Sequence, residues 1–294
     1  MMKAQAKGIT RRLVSTRICI IGLGLMGGSL AMALRGKCSA LVGIDTDPQA
    51  CEFALRHAIV DQIAEMDATI NCDLLVLAAP VRAILGCLQQ LTKMTAGSQS
   101  AAIVIDLGST KTEIVRAMQA LPECFDPIGG HPMCGKEASG ITHAEAALYS
   151  GKIFILSPLE RSSPSALALA EELVAAVGAE PLLLSAEKQD VLVALVSHLP
   201  YVMACALMSA ALRQEDPQVW RMAASGFRDT SRLAASDLTM MLDILLTNRE
   251  AILNALQDYR SGLDELTTLI KTGDEQGLHR YLAPVVKQRA GMYR

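Results

Sequence analysis

Between Arg17 and Leu34 the chain reads RICIIGLGLMGGSLAMAL: a short β-branched apolar run, three glycines at G-x-G-x-x-G spacing, then a helix-forming stretch. A strand that turns through glycine straight into a helix commits the chain to a βα unit. Such a unit needs a parallel neighbour strand reached by a crossover. Gly22 permits the tight turn, Gly24 lets the backbone approach a pyrophosphate, and Gly27 lets the helix pack close on the strand. Leu25 and Met26 complete the loop at the helix N-terminus, which faces an anion favourably. A second strand, ALVGID, ends on Asp45, 23 residues after Gly22. A carboxylate there reaches an adenosine ribose and repels a 2′-phosphate. Thr46 and Asp47 follow it, with no arginine, so the expected cofactor is a dinucleotide, NAD rather than NADP. The same stretch, with basic residues up to Arg17 before it, superficially suits a secretory signal. The ordered glycines and the lack of a nearby small-x-small cleavage site argue against one.

The first half repeats this alternation. RICIIG (17–22), ALVGID (40–45), DLLVLAA (73–79) and AAIVID (101–106) read as strands buried on both faces. Helical patterns lie between them at 25–34, 48–57 and 81–94, and another begins near Lys111. KIFILSP (152–158) and AEPLLL (179–184) add two strands around a helix at 164–177. The expectation is an α/β domain over residues 1–185, a Rossmann-type doubly wound parallel sheet. After Ser185 strand-like runs stop. Helical patterns at 186–212, 217–226, 238–271 and 274–290 predict an all-α domain over 186–294. Its run from Val191 to Leu212 is long enough to span a bilayer, but His198 and Pro200 interrupt it, so a buried helix in a helical core is expected, with no membrane partner. So apolar a helical half is expected to cover part of its surface with a second copy, making a homodimer. Net charge is −3, from 27 basic and 30 acidic residues, and aromatics are scarce, so nucleic-acid binding is not expected. The eight cysteines lack paired spacing, which points to a reduced, cytoplasmic protein with neither a disulfide framework nor a metal motif.

Two further stretches carry candidate chemistry. DLGSTK (106–111) follows the fourth strand, and PIGGHPMCGKE (127–137) holds one of only five histidines between glycine and proline. Both should emerge at the carboxyl edge of the sheet, where ligands bind, bringing Ser109, Lys111 and His131 together. Gly129 and Gly130 are expected to let a bent backbone pass close to the cofactor, and Pro132 to keep a helix from carrying the imidazole away. An imidazole beside a hydride acceptor suits the removal of an alcohol proton. The alternatives are a structural histidine in a loop and, for Lys111, a solvated side chain at a helix start. Cys134 reads as a packing residue, and His57, His143 and His279 carry no assigned role.

Taken together, GLGLMGGSLAMAL, DLGSTK, GGHPMCGKEASG, SHLPYVMACAL and GFRDTSRLAASD resemble the prephenate/arogenate dehydrogenases of tyrosine biosynthesis, from about Arg17 to the C-terminal helices. SGFRDTSR and LQDYRSGLDELTTLI are similar to the cyanobacterial-type arogenate branch. The resemblance implies an NAD(P)-dependent oxidative decarboxylation of prephenate or arogenate, with the helical half as a dimerisation domain. It implies His131 as the catalytic histidine and Ser109 as the serine near the reacting hydroxyl and the nicotinamide. It also implies Arg232 as the holder of the ring carboxylate, His198 as a second histidine at the substrate, and Glu137 as a gating acid. Met240 and Met241 stand where many members carry proline then tryptophan, which puts that wall of the pocket in question. No chorismate mutase segment is expected before the nucleotide domain, and no regulatory domain after the helices. The rival readings are a β-hydroxyacid dehydrogenase or imine reductase, which share GLGxMG and a helical second domain, and a non-catalytic NAD-sensing protein.

Overall fold

The computed structural model describes residues 12–93, 102–136 and 138–292. Eight strands form one sheet: β1 (Arg17–Ile21), β2 (Ala40–Ile44), β3 (Gln62–Ile63), β4 (Leu74–Leu77), β5 (Ala102–Asp106), β6 (Phe125–Pro132), β7 (Ile153–Pro158) and β8 (Glu180–Leu183). Their order is β3-β2-β1-β4-β5-β6-β7-β8. Every pairing is parallel except β6 with β7. The alternation of side chains explains the two-sided burial. Ile18 and Ile20 join one apolar cluster with the helices Leu25–Leu34 and Pro164–Ala176. Cys19 and Ile21 join a second cluster with the helices Val81–Lys93 and Thr112–Gln119. The apolar run that suited a secretory signal is therefore an inner strand and the helix packed on it.

Two strands escaped the sequence reading. β3 has only two residues, too few for a pattern. β6 contains two prolines and two glycines, which read as breakers, and His131 was expected in a tight bend. It lies instead in extended chain, with Gly130 paired to Leu156 and His131 to Ile155. The glycines serve the packing of the sheet. A Cβ on Gly130 would fall 2.4 Å from the Asp106 carbonyl oxygen, and one on Gly129 would fall 3.0 Å from Cδ of Lys111. Any side chain at position 130 would push β6 off β5.

Beyond β8 the chain is helical. The run expected at 186–212 divides into Ala186–Val193, a π turn at Ala194–His198, and Leu199–Leu212. The run at 217–226 becomes two short helices, Gln218–Met222 and Ser225–Ser231, followed by a 3₁₀ turn at Arg232–Ala235. Asn248 divides the long pattern at 238–271 into Leu238–Thr247 and Arg249–Thr272, and Glu275–Met292 follows. By compactness the chain forms two units, Met1–Arg249 and Glu250–Arg294.

The span Ala186–Leu212 is long and apolar enough to cross a membrane, and only 28% of its most apolar window is buried. The full burial expected for it is not met within one chain: Val196 is 64% exposed and Leu212 67%.

Candidate active site

The glycine loop closes as its spacing requires. Gly22 has φ +99°, and a Cβ there would fall 2.4 Å from the Ala78 carbonyl oxygen at the end of β4. A Cβ on Gly27 would meet the Gly22 carbonyl oxygen at 1.8 Å. Asp45, just past β2, ties the loop down by accepting from Leu23 N–H at 2.6 Å. Its other oxygen accepts from Asp47 N–H at 2.8 Å. A carboxylate has about four acceptor positions, so capacity remains for hydroxyl donors. Gly24 differs from its neighbours, because a Cβ on it would meet nothing within 4 Å. The protein does not need a glycine there for its own packing. The open space lies at the N-terminus of the helix Leu25–Leu34, which no side chain caps. Unspent N–H groups beside an open concavity are what a pyrophosphate requires. The residues present thus fit a dinucleotide.

A cavity of about 640 Å³ opens at this point, within the range of small-molecule sites. Gly24, Leu25 and Met26 line it from the loop, Ser109 from the segment after β5, and His131 from the end of β6. Lys136 and Ala138 line it too. Glu137, between them, lies outside the described residues. Across from these, Ala235, Ser236, Asp237, Met240 and Ile244 form a helical wall. Asp237 caps the helix Leu238–Thr247 of that wall by accepting from Met240 N–H at 2.8 Å. Met241, in contrast to Met240, turns into the core and is 5% exposed. Asp243 and Thr247, further along the helix, fasten it to the sheet edge. Asp243 accepts from Arg82 N–H at 3.0 Å, and the Thr247 and Thr110 hydroxyls lie 2.7 Å apart.

Lys111 does not line the cavity, nor is it solvated. It is fully buried, and its ammonium donates to the Asp106 carboxylate and, at 2.6 Å, to the Gly130 carbonyl. Asp106 also accepts from Gly108 N–H at 2.8 Å and Gly130 N–H at 3.0 Å. Burial opposes charge on both partners, lowering the lysine's pKa and raising the aspartate's, and their mutual attraction acts against both shifts. The pair clips the ends of β5 and β6 together and so sets the spacing of Ser109 and His131. Lys111→Met is expected to lower unfolding stability by about 3–5 kcal/mol, because it strands a buried carboxylate. The double variant with Asp106→Asn should recover part of that loss. Urea melts in which the single variant matches wild type would refute the clip.

His131 is 8% exposed, and its Nδ1 has no hydrogen-bond partner among the described residues. Burial pushes its pKa down to about 3, assisted by the nearby charge of Lys111 and by His198. The imidazole is therefore neutral near pH 7 and holds a free lone pair. His198, at the end of the π turn, is 1% exposed, and burial pushes its pKa down to about 4. It does not line the cavity, but it is close enough for its charge to bear on His131. Arg232 is exposed at the start of the 3₁₀ turn, three residues before the cavity wall begins at Ala235. Among the described residues no group of three or more His, Cys, Asp or Glu side chains could hold a metal ion.

Sequence reasoning missed Asp106, Asp190 and Asn248. Asp106 was visible as the first residue of DLGSTK. Asp190 accepts from the N–H groups of Lys111 and Thr112, at 2.7 and 2.8 Å, across 79 and 78 residues of sequence, and no local pattern announces such a contact.

Residues 30–183 match the family model described as prephenate dehydrogenase, nucleotide-binding domain, and residues 185–284 the one described as prephenate dehydrogenase, dimerization domain. Prephenate dehydrogenase of Bacillus subtilis (strain 168) is 31% identical, over 94% of this chain and 76% of its own. Among solved structures, Synechocystis arogenate dehydrogenase superposes with a TM-score of 0.80 at 33% identity, covering 93% of this chain and 98% of its own. Prephenate dehydrogenase from Aquifex aeolicus, in complex with hydroxyphenyl propionate and NAD+, superposes with a TM-score of 0.86 at 30% identity, covering 97% and 99%.

Proposed function

The chain belongs to the prephenate dehydrogenase family, and from that premise we propose how its residues divide the work. The reaction class is an NAD(P)-dependent oxidation of a cyclohexadienol coupled to decarboxylation. The observation that carries the assignment of roles is the single cavity shared by Gly24, Ser109 and His131. The glycine loop and the open helix end hold the dinucleotide, which when bound supplies the hydride acceptor. Neutral His131 accepts the proton of the C4 hydroxyl, and Ser109 orients that hydroxyl by hydrogen bonding. A bound carboxylate raises the basicity of His131 from its depressed value toward neutral pH. Arg232 holds the ring carboxylate, and Glu137 is assigned the role of gating acid. Lys111 acts through position, by holding β5 and β6 together, rather than by touching substrate. Loss of hydride and proton from C4 leaves a dienone whose C1 carboxylate departs as CO2. The released electron pair makes the ring aromatic, and the proton on His131 can return to the phenolate oxygen. No separate catalyst of decarboxylation is required.

The side chain of the substrate distinguishes prephenate, a keto acid, from arogenate, an amino acid. Cavity residues next to Glu137 supply a cation, Lys136, paired with Glu145 at 2.7 Å. Comparing kcat/KM for the two substrates by absorbance at 340 nm tests the assignment, and a chain inert toward both overturns it.

Asp45 supports NAD as the preferred dinucleotide. Asp45→Ser is expected to weaken NAD binding by about 1–3 kcal/mol, the cost of a lost charge-assisted hydrogen bond, and to narrow the preference over NADP. Unchanged dissociation constants for both would mean that Asp45 does not touch the ribose.

The exposed apolar run Ala186–Leu212 supports a homodimer built on the helical half, divided from the nucleotide half near Ser185. Light scattering should give the mass of two chains at micromolar concentration, and Val196→Glu should shift it toward one. A wild-type monomer would contradict this reading. None of the eight cysteines forms a disulfide, which fits a cytoplasmic location.

A further inference from the structure

Asn248 ends the helix Leu238–Thr247 and is 5% exposed. Its side-chain amide reaches two groups. Nδ2 donates to the backbone carbonyl of Asp190 at 2.8 Å and lies 3.1 Å from Nδ1 of His198. The Asp190 carbonyl only accepts, so the amide atom facing it must be the nitrogen, and the flipped orientation would set two oxygens against each other. That nitrogen has two hydrogens. One goes to Asp190 and the other is directed at His198, whose Nδ1 must then be the acceptor. A neutral imidazole with an accepting Nδ1 carries its proton on Nε2.

Asp190 is itself fixed. Its carboxylate accepts from Lys111 N–H, Thr112 N–H and Gln189 Nε2. The chain of contacts therefore runs from the β5–β6 clip, through Asp190 and Asn248, to the second histidine. The π turn contributes as well, since it places His198 one residue before the helix Leu199–Leu212 resumes. Single π turns interrupting α-helices occur frequently at functional sites.

We propose that Asn248 is a positioning residue, which locks His198 in the Nε2–H tautomer and so keeps it a neutral hydrogen-bond donor near the base His131. A donor there binds a substrate oxygen without placing a second cation beside the base His131. The proposal rests on the reading, implied by the family resemblance, of His198 as a second histidine at the substrate.

Nitrogen-15 NMR of the folded, substrate-free protein tests the tautomer directly. The expected spectrum at pH 7 shows His198 Nε2 as protonated and Nδ1 as bare, and Asn248→Asp should move the proton to Nδ1 or give the doubly protonated ring. A wild-type His198 protonated on Nδ1 overturns the proposal, as does an Asn248→Asp spectrum identical to wild type. Kinetics test the consequence. Asn248→Ala should lower kcat/KM about 10–100-fold, the range seen when the partner that orients a metal-ligating histidine is removed, with KM for NAD unchanged. In a His198→Asn background the same substitution should cost less than about twofold, since distant effects add and coupled ones do not. A full effect retained in that background would show that Asn248 acts on stability alone and sink the proposal. The NMR result needs no substrate, so it stands or falls separately from the reaction assignment, whose failure is a wild-type protein inert toward both prephenate and arogenate.

Discussion

Replacing His131 with asparagine is expected to lower kcat by about 10²–10⁴, the usual cost of losing a general base. NAD binding should stay close to wild type, because the glycine loop and Asp45 lie on other segments of the sheet edge. Asparagine is close in size to the imidazole and polar, so β6 keeps its pairing with β7 and the cavity its wall. What it lacks is a basic nitrogen. The hydroxyl proton then has no acceptor as hydride leaves, and the oxidation must await transfer to water. Stopped-flow or steady-state assays at neutral pH check this, alongside NAD titration by fluorescence. A variant that keeps more than half of the wild-type kcat would remove His131 from the chemistry.

Arg232→Ala should produce the second large effect, chiefly a raised KM for the cyclohexadienol with KM for NAD unaltered. Loss of a charge-assisted, bidentate contact to a carboxylate costs on the order of 2–4 kcal/mol, or about thirty- to a thousandfold in kcat/KM. Arg232→Lys should rescue little, because a point-charge ammonium cannot reproduce the planar fork. The loss should be alike for prephenate and arogenate, since both carry the ring carboxylate. A loss confined to one of them would mean that Arg232 reads the side chain, with the substrate bound the other way round. The turn that carries Arg232 leads directly into the cavity wall at Ala235–Asp237.

How far such a site can be read from sequence depends on how local its causes are. The glycine loop was legible because a turn with φ +99° at Gly22, and helix-to-strand packing at Gly27, each demand glycine at one fixed position. The parallel sheet was legible because strands buried on both faces are continuously apolar. β6 was misread for the opposite reason. Its glycines answer to Asp106 and Lys111, which lie on another strand and in the loop after it, and a close approach between segments leaves no periodic mark. Lys111 shows the same limit. A lysine at a helix start is usually solvated, and only the tertiary pairing with Asp106 buries it. The breaks at the π turn and at Asn248 interrupt long helical patterns whose apolar periodicity runs on unchanged across them. Asn248 and Asp190 draw their roles from partners 50 or more residues away, so no window of sequence contains the reason for them.

Hydride removal from a ring alcohol and loss of the ring carboxylate occur together on this chain. Mixing the protein with NAD and prephenate or arogenate, and measuring NADH at 340 nm alongside CO2 released, tests it directly. The expected result is one CO2 for each NADH, with a 4-hydroxyphenyl product appearing at the same rate. NADH formed without CO2 would mark a simple alcohol dehydrogenase and contradict the account, and so would a protein that binds NAD and turns over neither substrate.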